Sequence, residues 1–358
     1  MPATLDAPSL LKALEAVKDP DLGRSIVEMG MIKEIVIAGE GSTLAFTCEL
    51  TTPACPAKEQ IEREIRARVA QEFPQVKTLE IKMTGAVKGP LTPQTPTENP
   101  VPQIRNVVLI ASARGGTGKS TLALNIALAL YRSGASVGLL DLDIYAPTLP
   151  RMALITSRPK LQGESKIVPI ASHGLEVMSM GFLVEARQPL IWRGQILAGL
   201  VAQFLRDVVW SERDYLIVDL PPGSGELALA FGQACPVSGV LFVTTPTQLS
   251  ATELFRTKAI FDSMKIPALG LCENFAYYPT LDGKLVDYFP RGAAYKVAEE
   301  LQIPHLGDVP FDPRVAVCGD EGRPYLVAHP EAEAAVHMSK LAEKLAAQVS
   351  ITNLKKPG

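Results

Sequence analysis

The chain is poor in cysteine. It has five cysteines in 358 residues, and no two of them are spaced as C-x-x-C. An odd number of cysteines at scattered positions argues against a framework of disulfide bonds. The five are Cys48, Cys55, Cys235, Cys272 and Cys318.

The chain also lacks an excess of positive charge and a long apolar run. Its net charge is −3, so no overall basic surface points to nucleic acid. No uninterrupted apolar run is long enough to span a membrane, and residues 1–11 show no charged segment followed by a long apolar core. None of the four histidines has the spacing of a metal ligand. We therefore expect a cytoplasmic protein with neither a membrane nor a nucleic-acid partner.

A proline-rich stretch divides the chain. Residues 85–105 carry five prolines and very few apolar side chains. Such a composition is typical of an extended tether. We therefore predict a first domain at residues 1–84, a linker at residues 85–105 and a second domain at residues 106–350.

Apolar patterning predicts an α/β fold for both domains. In the first, residues 9–17 and 56–72 have helical spacing, while 31–38, 43–50 and 76–83 read as strands. In the second, strand-like runs alternate with helical patterns, which predicts a mostly parallel sheet with helices on both faces. The runs are Val107–Ser112, Val137–Leu142, Tyr215–Leu220, Val240–Thr244 and Ala268–Cys272.

A phosphate-binding loop opens the second domain. The sequence A-R-G-G-T-G-K-S-T follows the first strand-like run and precedes a helical pattern. Its glycines let backbone N–H groups cradle a polyphosphate, Lys119 reaches the terminal phosphates, and Ser120 can place its hydroxyl on Mg²⁺. We therefore predict nucleotide binding by Ala113, Arg114, Gly115, Gly116, Thr117, Gly118, Lys119, Ser120 and Thr121.

The loop departs from the common form at its start. Ala113 stands where the first glycine is usual, and Arg114 lies five positions before Lys119. A basic residue there marks the deviant Walker A ATPases, in which it is usually lysine and reaches the nucleotide of a second subunit. Arginine keeps the charge but not the geometry. The alternative is a solvated loop cation without a specific role.

Carboxylates follow two further strands. Asp141 and Asp143 end the second strand-like run, and Asp219 ends the third, four residues before Gly223. In an open α/β sheet, ligands bind beyond the carboxyl ends of the strands. We expect Asp219 to orient Mg²⁺ through a water, Gly223 to let the backbone approach the γ-phosphate, and Asp143 to position the attacking water. Asp141 is then the neighbour of Asp143 or a ligand in the metal shell, although the roles of Asp141 and Asp143 could be reversed. Any one of these aspartates could instead cap a helix or form a turn.

These segments together resemble the Mrp/NBP35 family of P-loop ATPases, which are regarded as iron–sulfur cluster carriers or assembly scaffolds. The first domain is similar to the MIP18-like (DUF59) module that often precedes that ATPase. The resemblance covers nearly the whole chain. In the second domain it rests on Arg114–Thr121, Leu140–Pro150, Pro189–Gly194, Asp214–Gly223 and Val243–Pro246, and in the first on Asp19–Leu22, Val27–Met31 and Thr51–Pro56.

The resemblance implies a slow ATPase that acts as a homodimer on iron–sulfur apoproteins or with assembly factors. It implies ATP near the subunit interface, with Lys119 on the phosphates, Ser120 on Mg²⁺ and Arg114 in the place of the signature lysine. Together with the strand-end argument, this makes Lys119, Asp143 and Arg114 the expected catalytic residues, with Mg²⁺ at Ser120 and, through a water, at Asp219. The resemblance also implies that Asn274 reads the adenine edge, which an amide can do by donating and accepting at once. The alternative for Asn274 is a turn residue after a strand.

One family feature is missing. Typical members place a C-x-x-C shortly after the asparagine, where thiolates of two subunits are thought to bridge a cluster. Residues 275–284 of this chain contain no cysteine, and thiolates are the usual ligands of iron–sulfur clusters. Either the cluster is bound elsewhere, or the protein assists transfer without that bridge, or the function has drifted. Cys55, flanked by proline, is the candidate for a functional thiol.

Three functions remain open at this stage. The first is an ATP-hydrolysing, dimeric iron–sulfur cluster carrier. The second is an organising ATPase resembling MinD or ParA, against which the acidic charge and the lack of an amphipathic tail count. The third is a nucleotide-switched adaptor without a cluster, which the missing C-x-x-C favours.

Overall fold

The computed structural model of the chain describes residues 5–90, 99–143, 146–163, 165–182, 194–223, 225–280 and 282–354, without the side chains of residues 40, 194–198 and 200. The chain divides into two compact units, Met1–Val87 and Lys88–Gly358. Most of the predicted Pro189–Gly194 motif and two residues of the Leu140–Pro150 motif lie outside the described residues.

The first unit is a three-stranded sheet with two helices. Strand β2 lies in the middle, antiparallel to β1 and parallel to β3. Helix α2 buries Ile61, Ile65 and Val69, whose spacing of four places them on one face. The small α/β domain expected from the sequence is thus present. Its elements are α1 (Ala7–Leu14), β1 (Ile32–Ala38), β2 (Thr43–Leu50), α2 (Lys58–Glu72) and β3 (Thr78–Gly85).

The second unit alternates strands and helices. Its first half contains β4 (Ile104–Ala111), α3 (Lys119–Arg132), β5 (Val137–Asp141), α4 (Leu149–Met152), β6 (Lys160–Gln162), β7 (Lys166–Val168), β8 (Ile170–Ser172), β9 (Leu175–Ser179), α5 (Gly194–Asp207) and β10 (Arg213–Asp219). Its second half contains α6 (Gly225–Ala234), β11 (Gly239–Thr244), α7 (Gln248–Thr252), α8 (Leu254–Ser263), β12 (Ala268–Asn274), β13 (Tyr278–Pro279), β14 (Leu285–Val286), α9 (Ala293–Glu300), β15 (His305–Val309), α10 (Pro313–Glu321), α11 (Tyr325–Ala328) and α12 (Glu333–Leu354).

Eight of these strands form one sheet in the order β15-β12-β11-β4-β10-β5-β9-β8. All neighbours are parallel except β8 and β9. The predicted class, a mostly parallel P-loop NTPase sheet preceded by a small α/β domain, is confirmed. Strands β8, β9 and β15 give no clear signal in the sequence, because they are short and polar residues interrupt their apolar runs.

The strand order places the predicted site residues at one edge. Strand β10 lies between β4 and β5, with Asp219 in register with Ile110 on one side and Asp141 on the other. The P-loop leaves β4 at this edge and leads into α3. That helix is apolar on most of its surface because it is buried from Leu122 to Leu130 between the sheet and other helices.

The boundary between the units differs from the predicted tether. Lys88 already belongs to the second unit, where its carbonyl accepts from Asn106 Nδ2 at 3.2 Å and from Asn353 Nδ2 at 2.9 Å. Asn353 also donates to Asn106 Oδ1 at 2.7 Å. Strand β4 begins at Ile104, inside the predicted linker. Two buried amides thus bind a backbone carbonyl at Lys88, a contact that composition alone does not reveal.

Within the described part of the chain, no helix is both long enough and apolar enough to cross a membrane. The longest of the described helices, α12, has 22 residues, but acidic and basic side chains recur along it.

Gly85 closes β3 against the loop that carries Cys55. A Cβ at this position would lie 2.4 Å from Pro53 N and 2.5 Å from Pro53 Cα, and backbone atoms cannot turn aside as side chains do. We predict that Gly85→Ala lowers the free energy of unfolding by about 1–3 kcal/mol, the range usual for overpacking. Urea denaturation of the full chain measures this.

Gly199→Ala is the matched control, since Gly199 lies in α5 with nothing within 4 Å of the added carbon. Gly199→Ala should leave the free energy of unfolding unchanged or raise it by roughly 0.5–1 kcal/mol. Equal destabilisation by both variants would contradict the packing argument.

Candidate functional site

The P-loop has the conformation that its glycines predict. Gly116 and Gly118 have φ values of +80° and +75°, and α3 begins at the next residue, Lys119. A left-handed backbone turns successive N–H groups to one side, where they face a ligand at the start of the helix. Gly118 also allows the side chain of Asn274 to lie close to the loop, because a Cβ added at Gly118 would lie 2.3 Å from Asn274 Nδ2.

A buried ion pair lies under the loop. Lys119 Nζ contacts Asp219 Oδ1, and the two side chains are 5% and 0% exposed. Burial raises the pKa of the Asp219 carboxyl, and the Lys119 ammonium acts in the opposite direction. Asp219 Oδ2 and Thr117 Oγ1 are among the buried side-chain atoms of the described residues that have no hydrogen-bond partner. At the start of the P-loop, a bound ligand, ion or water would satisfy them.

The other predicted carboxylates lie beside this pair. Asp141 is fully buried and accepts from Asp143 N at 2.9 Å and from Ser179 Oγ at 3.0 Å. Burial, followed by the neighbouring Asp219 charge, raises the pKa of Asp141. Asp143 accepts from Ala146 N at 3.1 Å and lines the cavity above the loop, whereas Asp141 does not. Both aspartates therefore accept a hydrogen bond from a backbone N–H nearby in the chain, as turn residues do. Of Asp141 and Asp143, only Asp143 lines the cavity.

The cavity over the P-loop has a volume of about 610 Å³. Its second wall is formed by Phe275 and by residues around the start of α10, which the sequence analysis missed. The signal for them was weak: a Pro-Phe-Asp-Pro turn at the carboxyl end of a parallel strand. Residues lining this second wall include Phe311, Asp312, Val315, Ala316 and Gly319.

Asn274 supports the loop from below. It is 3% exposed, and its Nδ2 donates to Thr117 O at 2.9 Å. Its neighbour Phe275, with a φ of +59°, lines the cavity, while Asn274 does not. The adenine contact expected of Asn274 stays a prediction.

Gly223 follows β10 and connects the carboxyl end of that strand to the start of the P-loop. Its N–H donates to Ser112 O at 3.1 Å, and its φ is +63°. Nine of the predicted site residues line the cavity, namely Arg114, Gly115, Gly116, Thr117, Gly118, Lys119, Ser120, Thr121 and Asp143. The remaining ones, Ala113, Asp141, Asp219, Gly223 and Asn274, lie next to these residues without lining it.

Arg114 has a partner within its own chain. Its Nε and Nη2 both donate to the carboxylate of Glu253, with Nη2 2.7 Å from Oε1. The contact with Arg114 lowers the pKa of Glu253. Arg114 is thus an exposed cation that is paired within its own chain, and its action on a nucleotide stays a prediction.

All five cysteines are buried and none forms a disulfide. Cys55 is 9% exposed and packs in the core of the first unit near Cys48, whose pKa is raised to about 12, mainly by burial. Within the described residues, no three His, Cys, Asp or Glu side chains are grouped so as to hold a metal ion. Cys55 is thus less accessible than a loop cysteine ordinarily is.

A small hairpin occupies the segment where the C-x-x-C was expected. Strands β13 and β14 pair through Tyr278 with Val286 and Pro279 with Leu285. Aromatic rings connect this hairpin to the cavity wall: Tyr278 and Phe275 each pack on Phe311, with centroids 6.1 Å and 5.9 Å away. An aromatic cluster therefore stands in the place of the thiolates.

This arrangement, a glycine loop that leads from a parallel strand into a helix with acidic strand ends beside it, defines a P-loop nucleotide-binding protein. The family model described as NUBPL iron-transfer P-loop NTPase matches residues 103–346, and a model described as iron–sulfur cluster assembly protein matches residues 9–82. The chain belongs to the NUBPL iron-transfer P-loop NTPase family, within the group that the sequence motifs resemble.

Curated relatives align with most of the chain or with nearly all of it. An iron–sulfur cluster carrier protein of Synechocystis sp. is 40% identical over 357 residues, or 98% of this chain and 99% of that protein. The mouse iron–sulfur cluster transfer protein NUBPL is 37% identical over 250 residues, or 68% of this chain and 78% of that protein.

Solved structures match the second unit. A nucleotide-binding protein of Archaeoglobus fulgidus in complex with ADP is 28% identical, with a TM-score of 0.57 over 65% of this chain and 92% of that one. The MinD protein of Pyrococcus horikoshii with Mg-ADP is 20% identical, with a TM-score of 0.51 over 66% of this chain and 94% of that one. The second likeness supports the fold alone.

The packing at Gly118 gives a direct test of the loop. We predict that Gly118→Ala weakens nucleotide binding at least tenfold, because the new Cβ collides with Asn274 and the backbone is left-handed. Titration calorimetry with ADP measures the affinity. Gly116→Ala is the comparison: its φ is +80° but nothing lies within 4 Å of an added Cβ. Equal losses in the two variants would show that Asn274 packing has no part in the effect.

Proposed function

We propose that this protein is an ATP-dependent iron–sulfur cluster carrier or assembly factor that acts as a homodimer. The observation that carries the proposal is a P-loop cavity of nucleotide size in a chain whose relatives, similar along nearly its whole length, are named as cluster carriers. The iron–sulfur cluster is the cargo of the protein, and iron–sulfur apoproteins are its clients.

The cavity fits ATP with Mg²⁺. Backbone N–H groups of the loop and Lys119 receive the phosphates, and the apolar side chains of Phe311 and Val315 suit the base. Ser120 and Asp219 would hold the metal, the latter through a water, which agrees with the unpartnered Asp219 Oδ2. The metal supplies neutralisation of charge on the transferred phosphoryl group.

Hydrolysis would be slow and would depend on positioning. Asp143 faces the cavity and is the residue for orienting the attacking water. Arg114 would act on the nucleotide of the second subunit, and arginine fingers raise hydrolysis rates by roughly 10³ to 10⁵. A homodimer follows from this role, because each site is incomplete without the partner's arginine.

The cluster requires ligands beyond the usual pair. Cys55 is our candidate, and the lack of any cluster of three ligands in the described residues implies that a second copy or the client supplies the others. The competing function, a nucleotide-switched adaptor without a cluster, is favoured by the burial of all five thiols. An organising role like that of MinD rests on fold likeness alone.

Removal of the loop lysine tests the ATPase. We predict that Lys119→Ala abolishes hydrolysis, because the ammonium that neutralises the phosphates is lost and Asp219 is left buried without its counter-ion. Phosphate release under saturating MgATP measures turnover. Lys160→Ala, an exposed lysine of β6, is the control. Unchanged turnover in Lys119→Ala would end the ATPase assignment.

Reconstitution tests the carrier. We predict that anaerobic incubation with iron and sulfide gives a stoichiometric cluster, seen by iron and sulfide analysis and a visible spectrum, and that Cys55→Ser weakens it. Cys235→Ser serves as the matched control, since Cys235 is fully buried in the core of the second unit. Absence of a cluster in the unaltered protein would favour the adaptor.

A further inference from the structure

Glu253 is an acidic residue that the sequence motifs do not single out. It lies between α7 and α8, which follow β11, the strand next to β4. Its carboxylate receives two donors from Arg114, the residue before the P-loop glycines. The contact therefore joins the start of the P-loop to the helices that follow the neighbouring strand.

The two-point contact depends on arginine. The planar guanidinium offers two parallel N–H groups that match the two oxygens of a carboxylate, whereas a lysine ammonium is a single point charge. Arginine at position 114 and glutamate at position 253 thus act as a matched pair. This gives a physical reason for arginine where the usual loop has lysine.

The two cations of the P-loop have opposite surroundings. The side chains of Lys119 and Asp219 are 5% and 0% exposed, but those of Arg114 and Glu253 are 43% and 37% exposed. An exposed ion pair is weak, so Glu253 biases Arg114 toward itself without fixing it there. Arg114 is among the residues that line the cavity, so we take its side chain to lie within reach of the nucleotide of its own chain once Glu253 no longer holds it.

We propose that Glu253 is a positioning residue that withholds Arg114 from the nucleotide in its own chain and keeps it for the nucleotide of a second copy. The inference rests on the proposed function, since it requires ATP in the cavity and a homodimer. Glu253 touches neither nucleotide in this account and acts only through Arg114.

Replacing Glu253 with a neutral residue should raise the affinity for ADP and lower the rate of ATP hydrolysis. We expect Glu253→Gln to bind ADP about two- to fivefold more tightly at concentrations where the protein is monomeric, because Arg114 is released from an exposed ion pair and can donate to a phosphate. We expect kcat for ATP to fall in the same variant, since Arg114 is then engaged in its own chain. Titration calorimetry and phosphate release measure the two quantities.

A double-mutant cycle isolates the pair. Arg114→Ala should lower turnover and leave ADP affinity near that of the unaltered protein, because Glu253 already withholds the arginine. In the Arg114→Ala background, Glu253→Gln should have no further effect on affinity. Glu253→Asp, which keeps the carboxylate, should restore part of the original behaviour. Asp262→Asn is the matched control, since it breaks an exposed ion pair with Lys258 in the same helix α8.

Each outcome has a clear meaning. An unchanged affinity in Glu253→Gln, or tighter binding that persists without Arg114, would overturn the positioning role. A higher kcat in Glu253→Gln would overturn it too, since it would make Glu253 a simple inhibitor. Failure of the unaltered protein to bind or hydrolyse ATP would instead overturn the proposed function and is seen before any variant is compared.

Discussion

The buried ion pair between Lys119 and Asp219 is the interaction on which the rest of the site depends. Two charges removed from water are tolerated only when each compensates the other, and loss of one partner typically costs about 3–5 kcal/mol. The pair forms because β10 lies directly between β4 and β5, which brings its last residue under the loop that leaves β4. Topology therefore sets the electrostatics of the cavity.

The missing cysteine pair changes what the surroundings of the cavity can do. In its place are a hairpin and a set of aromatic rings that extend from Phe275 through Phe311 to Tyr278. None of these side chains carries a thiolate, and their rings pack one wall of the nucleotide cavity against the hairpin. The accessibility of the remaining thiols is therefore the property that distinguishes the proposed carrier from the adaptor.

Much of the architecture could be predicted because its signals are local. Apolar runs, a glycine loop and a lysine before a helix are read from a few consecutive residues, and the parallel sheet follows from their alternation. The roles of Glu253 and the start of α10 could not be predicted, because they depend on which strands become neighbours. Asn274 was identified at its strand end, yet its contact with Thr117 O depends on the same tertiary placement.

The amide pair at Asn106 and Asn353 has a consequence for the proline-rich segment. Lys88 is fastened to the second unit on one side of this segment, and Val101, which is buried, belongs to the same unit on the other. The residues at both ends of this segment therefore belong to the second unit. The first unit is thus joined to the second at the peptide bond between Val87 and Lys88, and the proline-rich residues that follow are not the connection between the two units.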